Sequence, residues 1–217
     1  MDILGLTTSS AHGSVSVFRG GRFFTQAFES SLLNHSSQLI PSIQKILKEA
    51  GIFLSQVKSV AVDVGPGSFT GIRMAIATAE ALALTGIKSI GLSSLDIMAE
   101  DVTRYFLKSG KDEKEFIIAI DAGRQEFYMA RYIASSGKKV FPDALVSERD
   151  LIKHSSPCPL YGHLQRKNKS FSARDRMQVL YPSSESLIAL AVKRMNEKTG
   201  LLMPNYIRAP HVILKRK

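Results

Sequence analysis

Residues 2–28 read DILGLTTSSAHGSVSVFRGGRFFTQAF, and residues 115–133 read EFIIAIDAGRQEFYMARYI. Each starts with a short apolar burst, breaks at a polar turn and returns as a second burst, which is how strands read. In the first stretch, residues 3–6, 14–18 and 22–28 form three such runs, separated by turns at residues 9–13 and at Gly20-Gly21. A glycine pair between two runs is hairpin chemistry. In the second stretch SGKKVFPDAL, residues 136–145, supplies the third run. Ile118-Ala119-Ile120-Asp121 stands where Leu4-Gly5-Leu6-Thr7 stood. The likeness is one of pattern, not identity, and it predicts a three-stranded meander used twice. Each meander leads towards helices. The expected fold is therefore α/β: two lobes with mixed sheets flanked by helices.

Between the meanders lie two clear helical patterns. In HSSQLIPSIQKILKEAG, residues 35–51, Leu39, Ile40, Ile43, Ile46, Leu47 and Ala50 share one face. Ser36 or Ser37 is a candidate cap, Gly51 a candidate end, and Pro41 is expected in the first turn. The strand VKSVAVDV follows, then a glycine-rich turn, a helix over residues 70–84 ended by Gly86, and the short strand KSIGL. In the second half the clear helix is SSESLIALAVKRMNEKTG, residues 183–200, with SSES as its cap. The lobe boundary falls near residues 109–115, which gives a first lobe of residues 1–108 and a second of residues 109–217. The last helix is a candidate to pack back on the first lobe.

Composition bounds the function. The chain has 217 residues, 44% of them hydrophobic and 22% charged, and one cysteine, Cys158. One cysteine excludes an internal disulfide and any Cys-based zinc site built by this chain alone. There is no apolar run of the ~18 residues a membrane span needs. The opening residues carry an acid where a secretory leader carries a basic segment, so a cytoplasmic location is expected. The net charge of +10 is unevenly placed: residues 1–150 hold sixteen basic and sixteen acidic side chains, residues 151–217 thirteen and three. Such asymmetry marks the last third as a candidate polyanion contact, through Arg166, Lys167, Lys169, Arg174 and Arg176 and the Lys215-Arg216-Lys217 end. The alternative is an ordinary solvated basic surface.

Residues 64–74, VGPGSFTGIRM, join a strand to a helix. The spacing of Gly65, Gly67 and Gly71 is not the dinucleotide fingerprint, and Ile72-Arg73 after the last glycine excludes a Walker A loop. Two readings stay open. Gly65, Pro66, Gly67, Ser68, Thr70 and Gly71 form a rigid turn that aims the helix, with Ser68 or Thr70 as its cap; or the free amides of the helix start hold an anion. The helix that follows, IRMAIATAEALAL, is apolar almost all the way round. Such a helix needs cover on more than one side. Residues 93–107 or a second polypeptide would provide it.

GPGSFTGIRMAIATAEALA resembles the signature of the TsaB (YeaZ) family, bacterial proteins required for threonylcarbamoyladenosine in tRNA. His35-Ser36 with Leu39-Ile40-Pro41, Ser94-Leu95, Ile120-Asp121-Ala122 with Arg124, and Pro204, Tyr206, Ile207 and Arg208 resemble further segments of that family, in order along the chain. The likeness is thinnest over residues 135–200. It implies two RNase-H-like lobes, as in the sugar-kinase, Hsp70 and actin superfamily. It also implies a non-catalytic subunit that heterodimerises with TsaD, with the ATPase TsaE joining them and tRNA as a further candidate partner. No cofactor of its own is expected; ATP and metal are expected on the partner subunits. The helices of the first lobe would form the joint, with Leu39, Ile43, Ile46, Ile72, Ala75, Ile76, Ala79 and Ala83 as its candidate residues. A homodimer through the same helices is expected when the partner is missing.

Residue chemistry bears on the alternative, a metal-dependent ATPase or kinase, or an M22-peptidase-like enzyme, of the same superfamily. The catalytic relative carries two histidines four apart at a helix start; the matching positions here are Ser94 and Met98, neither of which replaces a histidine at a metal. Thr7 stands where the family has an acid, and a hydroxyl lacks the charge a metal-bound nucleotide calls for. Asp121 is the leading candidate acid or metal ligand of the enzyme reading, and Ser68 has no histidine that sequence can assign to it.

Overall fold

The computed structural model describes residues 2–29, 35–156, 158–164, 174–195 and 202–208. Among the described residues, ten strands and five α-helices follow in order: β1 (Ile3–Thr7), β2 (His12–Arg19), β3 (Arg22–Glu29), α1 (His35–Glu49), β4 (Ser59–Asp63), α2 (Phe69–Ala83), β5 (Lys88–Leu92), α3 (Ser94–Ser109), β6 (Glu115–Gly123), β7 (Glu126–Ile133), β8 (Lys139–Ser147), α4 (Glu148–Ser155), β9 (Leu160–His163), β10 (Met177–Val179) and α5 (Ser184–Lys193). They build two five-stranded sheets, ordered β3-β2-β1-β4-β5 and β8-β7-β6-β9-β10. In each, the meander pairs antiparallel and the fourth and fifth strands add in parallel. One RNase-H-like topology is therefore used twice, as the repeated meander predicts.

The first sheet shows why its neighbours sit where they do. Along β1, side chains alternate between its two faces. Leu4 and Leu6, with Val15, Val17, Val60 and Val62, belong to one core with Leu39, Ile43 and Ile46 of α1 and Ile72, Ala75, Ile76 and Ala79 of α2. The opposite face receives α5, where Ser184 N donates to Ser14 Oγ over 2.9 Å and the hydroxyls of Ser16 and Ser184 meet at 2.6 Å. The helices between the sheets are exchanged. Leu95, Met98, Ala99, Val102 and Phe106 of α3 pack on Phe116, Ile118, Ile120 and Tyr132 of the second sheet, while Leu187, Leu190 and Ala191 of α5 pack with Ala61 and Leu92 of the first. So residues 93–107 do not roof α2; they cover the other sheet.

Two local expectations change. α1 opens at His35, so Ser36 and Ser37 lie inside its first turn, and Pro41 sits one turn further in. Three elements of the second half, α4, β9 and β10, were not expected from sequence. Among the described residues, no helix is long and apolar enough to cross a membrane.

Candidate partner-binding site

The glycine turn is where β1, β4, α2 and α3 converge. Ser68 caps α2, its Oγ accepting from Gly71 N over 3.3 Å. Ser68 N donates to Ser9 O over 2.6 Å, and Thr8 Oγ1 donates to Gly71 O over 2.7 Å. The turn therefore lies flat on the β1–β2 connection. A Cβ on Gly67 would overlap the Ser9 carbonyl oxygen and one on Gly71 the Thr8 carbonyl oxygen, so these two glycines are there for close backbone approach. Pro66 is buried, Gly65 takes a φ of 95°, and Thr70 is exposed at the start of α2. The amide of Ser68 is consumed inside the chain, which favours the rigid-turn reading over an anion cradle.

Beneath the turn lies a carboxylate that sequence reasoning did not single out. Asp63, fully buried at the end of β4, accepts from Gly65 N over 3.0 Å, from Ser94 Oγ over 2.5 Å and from Ser9 Oγ. Burial raises its pKa to about 6 against the pull of these three donors. The strand pattern reads Asp63 as the polar end of VAVD; only the fold reveals the hydroxyls that surround it. Ser94 is thus a hydrogen-bond donor to Asp63, and Met98 is a core residue of the second lobe. Thr7 exchanges hydrogen bonds with Ser14. Asp121 is buried, and its Oδ1 accepts from Gly123 N over 2.7 Å in the β6–β7 turn. Among the described residues, no group of three or more His, Cys, Asp or Glu side chains is placed to hold a metal.

The candidate partner residues need correction. Leu39, Ile43, Ile46, Ile72, Ala75, Ile76 and Ala79 are all buried in this chain's own first core, and Ala83 is half-buried. The physical reason is simple. The most apolar face of a helix is the one it lays on its own sheet, so a hydrophobic stripe read from sequence finds the core before it finds a neighbour. The surface that α1 and α2 leave open is the other side. On α2 it carries Phe69, 42% exposed, with Arg73, Ala77 and Ala81, and Leu84, 90% exposed, follows at the helix end. These positions step by four, four, four and three residues, one continuous stripe. On α1 the open side carries Ile40, 48% exposed, with Pro41 and Gln44. The two helices lie side by side over one face of the sheet, so the stripes form one outer surface.

At the head of that surface the Arg73 guanidinium lies 3.8 Å over the Phe69 ring and donates to Tyr206 Oη over 2.9 Å. Of the candidate basic residues, Arg166, Lys167, Lys169 and the Lys215-Arg216-Lys217 end lie outside the described residues. Arg174 opens the short turn before β10, and Arg176 beside it is exposed.

Known proteins share this architecture. The family model described as TsaD, tRNA N6-adenosine threonylcarbamoyltransferase, matches residues 29–189. Over 198 residues the chain is 29% identical to the tRNA threonylcarbamoyladenosine biosynthesis protein TsaB of Buchnera aphidicola subsp. Schizaphis graminum, covering 86% of this chain and 90% of that protein. Over 133 residues it is 35% identical to TsaB of Escherichia coli K12, covering 61% and 55%. A crystal structure from Pseudomonas aeruginosa, of a protein with similarity to peptidase YEAZ, superimposes with a TM-score of 0.77 at 26% identity, covering 95% of this chain and 99% of that one. The family match spans most of both sheets, and the chain belongs to the TsaD-type family, on its TsaB (YeaZ) branch.

Proposed function

We propose that this chain is a non-catalytic subunit in the formation of threonylcarbamoyladenosine in tRNA. It works by seating a catalytic TsaD-type subunit on the outer surface of α1 and α2. The observation that carries this reading is the second stripe of α2: Ala77, Ala81 and Leu84 are exposed on it, next to Arg73 and the Phe69 ring that stacks on Tyr206. Apolar groups gathered on one open helix face mark an interaction surface. Two alanines in its middle let a partner helix approach closely, since interaxial distance follows the side chains at the contact. The interior supports the non-catalytic role. Ser94, Ser68, Thr7 and Asp63 are tied into hydrogen bonds that hold the fold together. In this reading ATP and metal belong to the partner subunits, TsaE among them, and the setting is cytoplasmic. tRNA phosphate meets the basic last third in a salt-dependent way. Without its partner the chain closes the same stripe against a second copy.

The test is binding. Purified chain and a TsaD-type subunit are mixed and sedimented. Wild type is expected to form a stable complex. The double variant Ala77→Arg, Ala81→Arg is expected to weaken it at least about tenfold, as charge placed at the centre of an interface does, with its melting temperature unchanged. Equal affinity of wild type and variant would remove α2 from the joint.

A further inference from the structure

Residues 202–208 form no helix or strand, yet they touch both lobes at fixed points. Leu202 is buried in the first core, against Val64 and Gly91. Three residues on, Asn205 N donates to Val64 O over 2.8 Å, beside the glycine turn. Its side-chain amide donates to Asp143 Oδ2 over 3.0 Å and reaches Gly65 O at 3.5 Å. Val64 and Gly65 follow β4 of the first lobe; Asp143 is on β8 of the second. Asp143 also accepts from Ser93 Oγ over 2.8 Å and pairs with Lys139, which bridges to Asp96 of α3 at 2.7 Å. Tyr206 stacks on Phe69 with ring centroids 5.4 Å apart and accepts from Arg73. Finally Arg208 donates to Ala122 O over 2.9 Å and pairs with Glu126, both at the β6–β7 turn. The segment thus runs from the core of one lobe, over the glycine turn, to the hairpin turn of the other.

We propose that residues 202–208 are a strap that locks the two lobes at one mutual angle, with Tyr206 as the point where a protein seated on α2 bears on the lock. The lobes already share α3 and α5, which pack between the two sheets. A second fastening at the glycine turn removes the remaining hinge. Asn205 is suited to the task because its amide donates to an acceptor in each lobe at once. Arg208 is suited because a guanidinium grips a carbonyl and a carboxylate together. Phe69 and Arg73 belong to the open stripe of α2, so whatever covers that stripe also clamps the ring of Tyr206. This last clause rests on the proposed partner surface; the lock itself does not.

The experiment uses the full chain with Cys158→Ser and a spin-label pair at Lys58→Cys in the first lobe, off α1 and α2, and Lys138→Cys in the second, both exposed positions. The expected result is a single narrow inter-lobe distance in this background. It broadens when Asn205→Ala and Arg208→Gln are added, and amide exchange at residues 64–67 and 122–126 rises about tenfold, the factor lost with one charge-assisted hydrogen bond. A distance that stays single and narrow in the double variant overturns the proposal. Amide protection of β1 and β6 in the same samples checks that both lobes stay folded, and Arg208→Lys is expected to recover part of the narrowing. Adding the TsaD-type subunit is expected to narrow the broadened distribution. A complex that forms without narrowing it refutes the role of Tyr206 and leaves the partner surface standing. Failure to form any complex refutes the partner surface and leaves the lock standing on its own distance measurement.

Discussion

Replacing Asp63 by Asn should make the protein more stable at neutral pH. The carboxyl is fully buried, and its donors are Gly65 N and the hydroxyls of Ser94 and Ser9. Burial outweighs them and lifts the pKa from 3.8 to about 6. With a folded pKa above the unfolded one, the folded state binds the extra proton between these two values, so stability falls as pH rises through that window. Two pH units at about 1.4 kcal/mol each give a cost of about 3 kcal/mol for holding Asp63 ionised at pH 7. Asparagine keeps the carbonyl for Gly65 N and Ser94, and its amide can donate to Ser9, whose hydroxyl turns to accept. The assay is urea denaturation of wild type and Asp63→Asn from pH 4 to pH 8, read as the difference between them. The difference matters because His163 runs the other way: burial depresses it to about 4, so it adds stability as pH rises towards 6.5. The expected difference grows by about 2.4 kcal/mol in favour of Asn between pH 4 and pH 7, since a little of the cost is already present at pH 4. A flat difference, or one that turns against Asn as pH rises, would show that the three donors outweigh burial and that the reasoning is wrong.

Neighbouring positions on α2 should behave oppositely. Ile76→Glu puts a charge into the first core and should cost more than about 4 kcal/mol, whereas Ala77→Arg on the open face should change stability by less than about 0.5 kcal/mol in urea titrations. Gly71→Ala, whose Cβ meets the Thr8 carbonyl oxygen, should lower stability by more than about 2 kcal/mol, and a neutral result would show that the turn yields freely. Lys139→Met leaves Asp96 and Asp143 short of a partner and should cost about 3 kcal/mol at pH 7. Burial alone would raise Asp96, but Lys139 and Arg194 hold it below the usual carboxylate range, so the cost should shrink as pH falls below that range. The isolated chain should sediment as a concentration-dependent dimer, and as a monomer with Ala77→Arg.

The topology was legible because it repeats. Two meanders with the same apolar rhythm announced two similar sheets, and Gly20-Gly21 announced the first hairpin. The glycine turn was legible as a turn, since its spacing fitted no phosphate motif, but its purpose depended on Thr8 and Ser9, some sixty residues away in sequence. The fourth and fifth strands of the second sheet were not legible. LYGH and MQV are too short to show a period, and each is held by its parallel neighbour rather than by its own composition. The open surface of α2 was misplaced for a reason that generalises. Periodicity reports where apolar residues concentrate, and Ile72, Ile76 and Ala79 concentrate on the sheet; the open face, where alanines alternate with Arg73 and Glu80, has no comparable signal. Asn205 and Arg208 lie in a segment with no period at all, so their bridging contacts appear only once both sheets are in place.

The central claim is that this chain acts through the open stripe of α2 and not through chemistry of its own. Threonylcarbamoyl transfer to tRNA should be measured with a TsaD-type subunit, TsaE and threonylcarbamoyl-adenylate, adding wild type or the Ala77→Arg, Ala81→Arg double variant. The account predicts modified tRNA with wild type, little or none without the chain, and little with the variant although it is folded. Full modification with the variant, or without the chain, would contradict it.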